Sequence, residues 1–105
     1  MTLVFHPLAE RELIAAARFY ETQASGLGAD FIRQVERTLA DVVAHPNADV
    51  LFARSTIRRR LMHRFPFGIV YEIESENISV IAIMHLQRRP GYWKRRLRVG
   101  SSARR

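Results

Sequence analysis

The fold is decided by the stretch from Ile57 to Trp93, IRRRLMHRFPFGIVYEIESENISVIAIMHLQRRPGYW, which predicts three consecutive β-strands. Apolar and basic residues alternate at its start, and a Phe-Pro-Phe-Gly turn at 65–68 leads into a second alternating run. After a turn at 75–77, residues 78–86 are almost continuously apolar, as in a central strand covered on at least one face. The stretch therefore predicts an antiparallel meander with basic residues on the strands and at their exits.

Alternation along the first of these strands predicts two distinct faces. The apolar face comprises Ile57, Leu61 and Phe65, and the basic face comprises Arg58, Arg60 and Arg64. His63 follows the same alternation onto the apolar face.

Residues 2–45 predict a short strand and two helices. Thr2 to Phe5 alternates weakly, and Pro7 suits the first turn of a helix because its missing N–H would have no partner there. Helical spacing predicts a buried face in each helix: Leu13, Ala16, Ala17 and Tyr20 in the first, and Ile32, Val35, Leu39 and Val42 in the second. Ser25 is the predicted N-cap of the second helix, which ends near His45.

Together these elements predict an α+β domain, with an N-terminal strand, an antiparallel helical hairpin and then the three-stranded meander. The helices are expected on one sheet face, packing Leu13, Ala17, Tyr20, Ile32, Val35 and Leu39 against Ile69, Tyr71, Val80 and Ala82 or their neighbours. We expect a single domain over residues 1–97 and a basic, mobile C-terminal tail over residues 98–105.

Composition bounds the class of protein. The 105 residues are 48% hydrophobic, enough for one domain with a modest core. There is no Cys, so the chain offers neither a disulfide framework nor a thiolate site. No run approaches the roughly 20 apolar residues that span a bilayer, and the N-terminus lacks the pattern of a signal peptide. We therefore expect a cytoplasmic protein with no membrane partner.

Positive charge is segregated along the chain. Residues 1–53 contain four Arg against seven Asp or Glu, a net charge of −3, whereas residues 54–105 contain thirteen Arg or Lys against three Glu, a net charge of +10. Such a concentrated field attracts polyanions, either nucleic acid or an acidic protein surface. Excess arginine that serves only solubility is the simpler explanation, but it does not require segregation.

Several short pieces of the chain, in this order and spacing, resemble the RelE/ParE superfamily of bacterial toxins from toxin–antitoxin modules. The pieces are Val4-Phe5-His6-Pro7, Leu27-Gly28-Ala29-Asp30-Phe31, Ile57-Arg58-Arg59, Arg64-Phe65-Pro66-Phe67 with Ile69-Val70-Tyr71, and His85-Leu86-Gln87-Arg88-Arg89-Pro90 with Trp93. Their combination is most similar to the ParE branch, whose members are often labelled plasmid-stabilisation proteins. The resemblance implies a toxin that is held inactive by a cognate antitoxin and has DNA gyrase as its target.

The RelE branch implies an alternative, a ribosome-dependent endoribonuclease that uses the 2′-hydroxyl of mRNA as the nucleophile. Such cleavage needs a proton acceptor, cations around the phosphorane and a donor for the leaving oxygen. By resemblance to the cleaving members, Arg58 and Arg60 match a basic pair on the second strand. Arg88 matches an arginine at the exit of the last strand, with Tyr92 as a nearby tyrosine.

One element of the cleaving pattern is missing, because Gly68 stands where those members carry an arginine just before the third long strand. Loss of a cation at the reacting phosphate removes several kcal/mol of transition-state stabilisation. Guanidinium is also a poor base, so His63 or His85 would have to accept the proton. The sequence therefore favours a non-enzymatic gyrase inhibitor over a ribonuclease.

The four histidines, His6, His45, His63 and His85, show neither HxH nor HxxxH spacing, so the sequence predicts no metal site and no cofactor. His85 lies among apolar residues, which favours a partly buried side chain with a satisfied hydrogen bond over a catalyst.

The candidate target-binding residues are basic or aromatic and lie on the strands or at their exits: Arg58, Arg60, Arg64, Arg88, Arg89 and Trp93. Trp93 is expected mainly to anchor the tail, leaving Arg88 and Arg89 exposed. An antitoxin is expected to contact both the apolar helix surface and the basic strand face, at Leu13, Tyr20, Arg58, Arg60 and Arg88.

Two other interpretations of the basic residues remain open. Arginines 58–60 also fit a solvated strand face that protects a sheet edge from unwanted pairing. A plain nucleic-acid-binding module is a third functional hypothesis, which the basic half permits although no groove-reading helix is recognisable.

Overall fold

The computed structural model describes residues 1–52 and 54–97. Its elements are β1 (Thr2–Phe5), α1 (Pro7–Gln23), α2 (Leu27–Ala44), β2 (Ile57–Leu61), β3 (Phe67–Glu74) and β4 (Asn77–His85). The strands form one sheet in the order β1-β4-β3-β2, in which β2, β3 and β4 are antiparallel neighbours. The predicted strand, helical hairpin and meander are therefore confirmed. The predicted tail, residues 98–105, lies outside the described residues.

β1 lies parallel to β4, a pairing that the sequence analysis did not predict. Thr2 pairs with Asn77 and Phe5 with Val80, so β1 covers only the first half of β4. Parallel strands need a long connection, and here the helical hairpin and the rest of the meander supply it. The sheet is consequently mixed, and the second half of β4 extends beyond its neighbour.

α1 begins as predicted, because His6 and Pro7 both suit a helix N-terminus. The Nδ1 atom of His6 accepts a hydrogen bond from the Leu8 amide at 3.0 Å, and Pro7 occupies the first turn. Burial lowers the pKa of His6, which favours the neutral imidazole that can accept this bond.

The predicted N-cap at Ser25 is wrong. α2 is preceded by Gly26, whose backbone is left-handed with φ of 86° and whose position has no side-chain cap. The Glu21 carboxylate reaches over from α1 instead and accepts hydrogen bonds from the Gly26 and Gly28 amides, each at 3.0 Å. These bonds lower the pKa of Glu21 and cap α2 from its neighbour.

The main core lies between the helices and one face of the sheet. Its buried residues include Ala9, Ala16, Ala17, Phe31, Val35, Leu39, Phe65, Phe67, Ile69, Val80 and Ile83, with Leu13 and Tyr20 packed against them. Both predicted helix faces are therefore broadly confirmed. The exception is Ile32, which is 41% exposed, while its neighbour Phe31 is buried among the rings of Tyr20, Phe65 and Phe67. Helical spacing from Val35 permits either residue, and the aromatic cluster selects Phe31.

A β-bulge changes the face to which part of β4 points. Val70 pairs with Ala82 and Tyr71 with Val80, so Ile81 is an extra residue on β4. Ile83 therefore joins Val80 on the helix side. The prediction allowed for a neighbour of Ala82 at this place, and the neighbour Ile83 takes it while Ala82 does not. Ala82 packs on the opposite face with Ile57, Val70, Met84 and Trp93.

The predicted apolar face of the first long strand is confirmed for Ile57 and Leu61 but not for Phe65, because β2 ends at Leu61 and is an edge strand. Leu61 is 52% exposed, and Phe65 lies in the following turn and packs into the helix-side core. His63 is exposed in that turn, and Arg64 has a left-handed backbone there, with φ of 71°. The predicted basic face thus retains Arg58 and Arg60 but not Arg64.

In the described part of the chain, no helix combines the length and apolar character required to cross a bilayer.

Gly28 allows the two helices to approach closely, and its replacement is expected to destabilise the fold. A Cβ atom at Gly28 would lie 2.6 Å from the Ala17 carbonyl oxygen and 3.1 Å from the Glu21 Cβ. Gly28→Ala should lower the free energy of unfolding by about 2 kcal/mol in urea denaturation, because overpacking outweighs the gain in helix propensity. The control Ala29→Gly, at the exposed next position of α2, measures the ordinary helix propensity of Ala over Gly, about 1 kcal/mol. A stabilising Gly28→Ala would contradict the close approach.

Candidate target-binding surface

The surface is built on residues 86–97, which follow β4 and are called the C-terminal segment below. The Leu86 amide donates to the Pro66 carbonyl at 2.9 Å, and the Arg88 amide donates to the His85 carbonyl at 3.0 Å. Gly91, with φ of 81°, then turns the chain back towards the sheet. A final helical turn over residues 94–97 ends the described chain.

Trp93 anchors the C-terminal segment on the sheet face opposite the helices. Its side chain is 3% exposed and packs with Ile57, Val70 and Met84, while its ring meets Phe52 edge-on at 5.6 Å. The predicted anchoring is confirmed, and a direct contact of Trp93 with a target stays a prediction.

The Glu12 carboxylate joins α1, β4 and the C-terminal segment. It accepts hydrogen bonds from the Ile83 amide at 3.0 Å, from the Tyr92 hydroxyl at 2.6 Å and from two nitrogens of Arg96, each at 2.9 Å. Arg96 also donates to the Ile81 carbonyl at 2.8 Å. These contacts satisfy β4 backbone groups beyond the end of β1, where no neighbouring strand pairs with them.

The ion pair at the centre of this cluster is largely buried, with side-chain exposures of 10% for Arg96 and 17% for Glu12. The hydrogen bond to Glu12 raises the pKa of Arg96. Burial, and then the hydrogen bond to Glu12, raises the pKa of Tyr92 well above its usual range, so the phenol is held as a donor. The cluster is therefore a tie between α1 and the C-terminal segment, in which the Tyr92 hydroxyl remains a hydrogen-bond donor.

With Trp93 and Arg96 held in this way, the other basic residues of the C-terminal segment are exposed. Arg88, Arg89, Lys94 and Arg95 line one open hollow, together with Gly91 and Tyr92, and we call it the basic hollow. The Arg88 guanidinium lies 3.9 Å from the centre of the Tyr92 ring, a cation–π contact that orients it. The exposure predicted for Arg88 and Arg89 is confirmed.

Arg60 lies on the predicted basic strand face, and its guanidinium is engaged within the fold. It donates to Asp49 at 2.5 Å, to Asp41 at 2.6 Å and to the His45 carbonyl at 2.9 Å, and its side chain is 12% exposed. Arg60 therefore connects β2 to the end of α2 and to the loop that follows.

The same loop is held by two further side chains. Arg58 donates to the Asp49 carbonyl at 2.8 Å, and the Tyr71 hydroxyl lies 2.9 Å from both the Asp49 carboxylate and the Pro46 carbonyl. Burial, and then the hydrogen bond to Asp49, raises the pKa of Tyr71 to about 12. Arg64 is more exposed and lies 3.9 Å from Asp30.

The residues named for the ribonuclease alternative lie in two groups. Arg58 and Arg60 hold the loop beside β2, whereas Tyr92 and Arg88 lie beyond β4 on the α1 side, with β3 between the two groups. Gly68, where cleaving relatives carry an arginine, is buried as the second residue of β3. A Cβ atom there would lie 3.0 Å from Arg59 Cγ, so a side chain at this position would have to displace Arg59.

A second surface, which we call the α1/β4 groove, lies where β4 extends beyond β1. It is lined by Glu12, Ala15, Ala16, Phe19, Tyr20, Phe67, Ile83, His85 and Arg88. Phe19 is 58% exposed at its margin. Of the residues predicted to contact an antitoxin, Tyr20 and Arg88 line this groove, Leu13 packs into the core behind it, and Arg58 and Arg60 lie at the far edge of the sheet.

His85 is partly buried, with its Nδ1 atom accepting from the Gln87 amide at 3.0 Å and its ring against Phe67. That arrangement confirms the predicted structural histidine. Across residues 1–52 and 54–97, no three His, Asp or Glu side chains gather in a way that would hold a metal ion.

Sequence reasoning missed four residues that contribute to these surfaces. Glu12 was overlooked because an acidic residue near a helix N-terminus has an ordinary explanation in the helix dipole. Phe19 directly precedes Tyr20 but lies off the predicted buried face of the first helix. A large aromatic ring predicted to be exposed was an available signal for a binding surface. Lys94 and Arg95 directly follow Trp93 in a basic stretch, but nothing in the sequence showed that they share a hollow with Arg88.

Replacement of Glu12 should destabilise the protein strongly. Glu12→Gln keeps the shape of the side chain but leaves the buried Arg96 guanidinium without its countercharge. The free energy of unfolding is expected to fall by about 3 kcal/mol. The matched control is Glu10→Gln at an exposed position of α1, two residues before Glu12. It should lower the free energy of unfolding by less than about 1 kcal/mol. Equal effects of the two substitutions in urea unfolding would show that the buried pair is not a major tie.

Solved structures share this fold. A chain of the chromosomal ParDE toxin–antitoxin system from P. aeruginosa superposes with a TM-score of 0.70 at 18% identity, over 83% of this chain and 97% of that one. The isolated RelE toxin from E. coli superposes with a TM-score of 0.57 at 19% identity, over 93% of this chain and 97% of that one. At these identities the likeness establishes the fold alone.

No curated protein gives a significant match to the sequence. A family model does match: the ParE toxin of the type II toxin–antitoxin system parDE, over residues 3–90. The matched region contains both helices, strands β2 to β4 and all but the first residue of β1, together with Glu12, Arg88 and the α1/β4 groove. The chain therefore belongs to the ParE toxin family of type II toxin–antitoxin systems.

Proposed function

We propose that this toxin acts in the cytoplasm by inhibiting DNA gyrase through its C-terminal segment, and that a cognate antitoxin neutralises it. The observation that carries the proposal is the fixed display of Arg88 and Arg89. The Glu12 cluster and Trp93 hold the segment on both sides, so these two cations are presented on rigid backbone. Pre-organised arginines of this kind contribute strongly to binding energy because little ordering is needed on contact.

The geometry supports a binding function better than a cleaving one. Arg60, one of the two arginines that match the basic pair of the cleaving members, already pairs its guanidinium with Asp41 and Asp49. The Tyr92 hydroxyl donates to Glu12, and its raised pKa makes it a poor acid. His63 is exposed in the turn after β2, on the other side of β3 from Tyr92. Arg60 and Tyr92 are thus already engaged within the fold, which argues against their acting together on one phosphate.

One observation favours the ribonuclease as a second candidate. Arg88 and Tyr92 form a stacked pair at the exit of β4, where the cleaving relatives keep an arginine and a nearby tyrosine. In that function Arg88 would stabilise charge on the phosphorane, and His85, which lines the same groove as Arg88, would be the candidate proton acceptor. The ribosome and mRNA would then be the partners, and the ribosome would have to supply the missing groups.

The α1/β4 groove fits an antitoxin segment. Its floor is apolar, Phe19 provides an exposed anchor, and Arg88 gives one end a positive charge. An amphipathic, partly acidic segment would bury the apolar floor and pair with that arginine. Because Arg88 also belongs to the basic hollow, an antitoxin in the groove would contact a residue that the toxin uses against its target.

Charge reversal tests the role of the C-terminal segment. The wild-type toxin is expected to block supercoiling by gyrase and to trap cleaved DNA on the enzyme. In Arg88→Glu/Arg89→Glu the half-inhibitory concentration should rise about tenfold or more, because two attractive charges become repulsive to the same surface.

The matched control is Arg18→Glu/Arg37→Glu, which makes the same change in net charge at exposed helical positions. It should inhibit like the wild type, and circular dichroism checks that both variants are folded. Cleavage of mRNA at the ribosomal A site that vanishes on substitution of Arg88, with supercoiling unaffected throughout, would overturn the proposal in favour of the ribonuclease.

Truncation of an exposed ring tests the antitoxin groove. Phe19→Ala should raise the Kd of the antitoxin, the product of the neighbouring small gene, by about tenfold or more in titration calorimetry, because a buried aromatic anchor is lost. Ile32→Ala removes a comparably exposed apolar side chain from α2, outside the groove, and should leave the Kd unchanged. Equal affinities for all three proteins would place the antitoxin elsewhere.

A further inference from the structure

The basic hollow concentrates positive charge that the fold does not neutralise. Within the described chain, none of Arg88, Arg89, Lys94 and Arg95 forms an ion pair with a carboxylate. Arg60 and Arg96, by contrast, are each paired with acidic side chains. Four like charges around one opening repel each other, so the hollow gains from an anionic ligand with several charges.

The backbone holds these cations close together. Gly91 has a left-handed conformation, and a Cβ atom there would lie 2.9 Å from Lys94 Cε and 3.4 Å from Lys94 Nζ. The absence of a side chain therefore lets Lys94 lie back across the turn, in the hollow that Arg89 also lines. Trp93 and Arg96 point inwards from the same turn, so Lys94 and Arg95 face outwards.

The hollow is suited to phosphates and poorly suited to nucleobases. Tyr92 is the aromatic residue that lines it in the described chain, and its ring is covered by Arg88 while its hydroxyl donates to Glu12. Trp93 is buried. Single-stranded nucleic acid is usually bound by stacking of its bases on exposed aromatic rings, which this hollow lacks. Arginine and lysine side chains without such rings are typical of contacts to a duplex backbone.

We propose that the basic hollow binds the phosphate backbone of duplex DNA, independently of base sequence. The inference rests on the proposed function and extends it, because gyrase works on a bound duplex. The toxin would then contact the DNA held by the enzyme as well as the enzyme itself, and the cations of the hollow would supply the DNA contact.

Salt dependence of duplex binding tests this inference without gyrase. Fluorescence anisotropy with a labelled duplex of arbitrary sequence should show saturable binding by the purified toxin. If each of the four cations neutralises one phosphate, the plot of log Kobs against log salt concentration should have a slope of about −3.6. Arg89→Gln/Arg95→Gln should reduce the slope to about −1.8. The matched control Arg18→Gln/Arg37→Gln should leave the wild-type slope unchanged.

Three results would overturn the inference: equal effects of both double variants, competition by polyglutamate as strong as by duplex at equal charge, or tighter binding to single-stranded RNA of the same length. Supercoiling assays with Lys94→Gln/Arg95→Gln, which keeps Arg88 and Arg89, separate this inference from the proposed function. Gyrase inhibition that this variant retains in full would overturn the DNA contact and leave the proposed function intact. Duplex binding with no inhibition of gyrase would instead refute the proposed function.

Discussion

The position of the basic segment depends on the carboxylate of Glu12. It binds Arg96 and Tyr92 on one side and the Ile83 amide on the other, at the point where β1 no longer covers β4. A buried ion pair of this kind adds little net stability compared with apolar packing, but it is costly to break. Its consequence is positional: it orients the chain so that the neighbouring cations face outwards. Trp93 makes the complementary apolar contact on the opposite face of the sheet.

Most of the fold was predictable because periodicity and end signals are local properties. The changes from helical to strand spacing gave the elements and the meander, and Pro7 gave the start of α1. The errors concerned choices made by tertiary contacts. Phe31 is buried in place of Ile32 because an aromatic cluster receives it, and Glu21 caps α2 from a different helix. The bulge at Ile81, which moves Ala82 to the other face, has no marker in an apolar run.

The parts of the site that could be predicted are those in which the type of a residue determines whether it is buried or exposed. A tryptophan in a basic run beside a sheet is favourable to bury, and the arginines next to it remain exposed for lack of partners. Partners distant in sequence were not predictable. Arg60 finds Asp41 and Asp49 through the packing of a loop, and Glu12 finds Arg96 across 84 positions. Strand alternation predicted an exposed Arg60, but its contacts with Asp41 and Asp49 engage it within the fold. The contact between Glu12 and Arg96 positions the residues of the basic hollow.

The proposed inhibition of gyrase requires that the basic residues be held in position, in addition to being present. Inhibition of gyrase supercoiling by Glu12→Gln, measured under conditions in which the variant is folded, tests it most directly. This variant keeps every arginine and lysine and loses the tie that positions them. The account predicts that its inhibition is as weak as that of Arg88→Glu/Arg89→Glu. Inhibition equal to that of the wild type by folded Glu12→Gln would contradict the account.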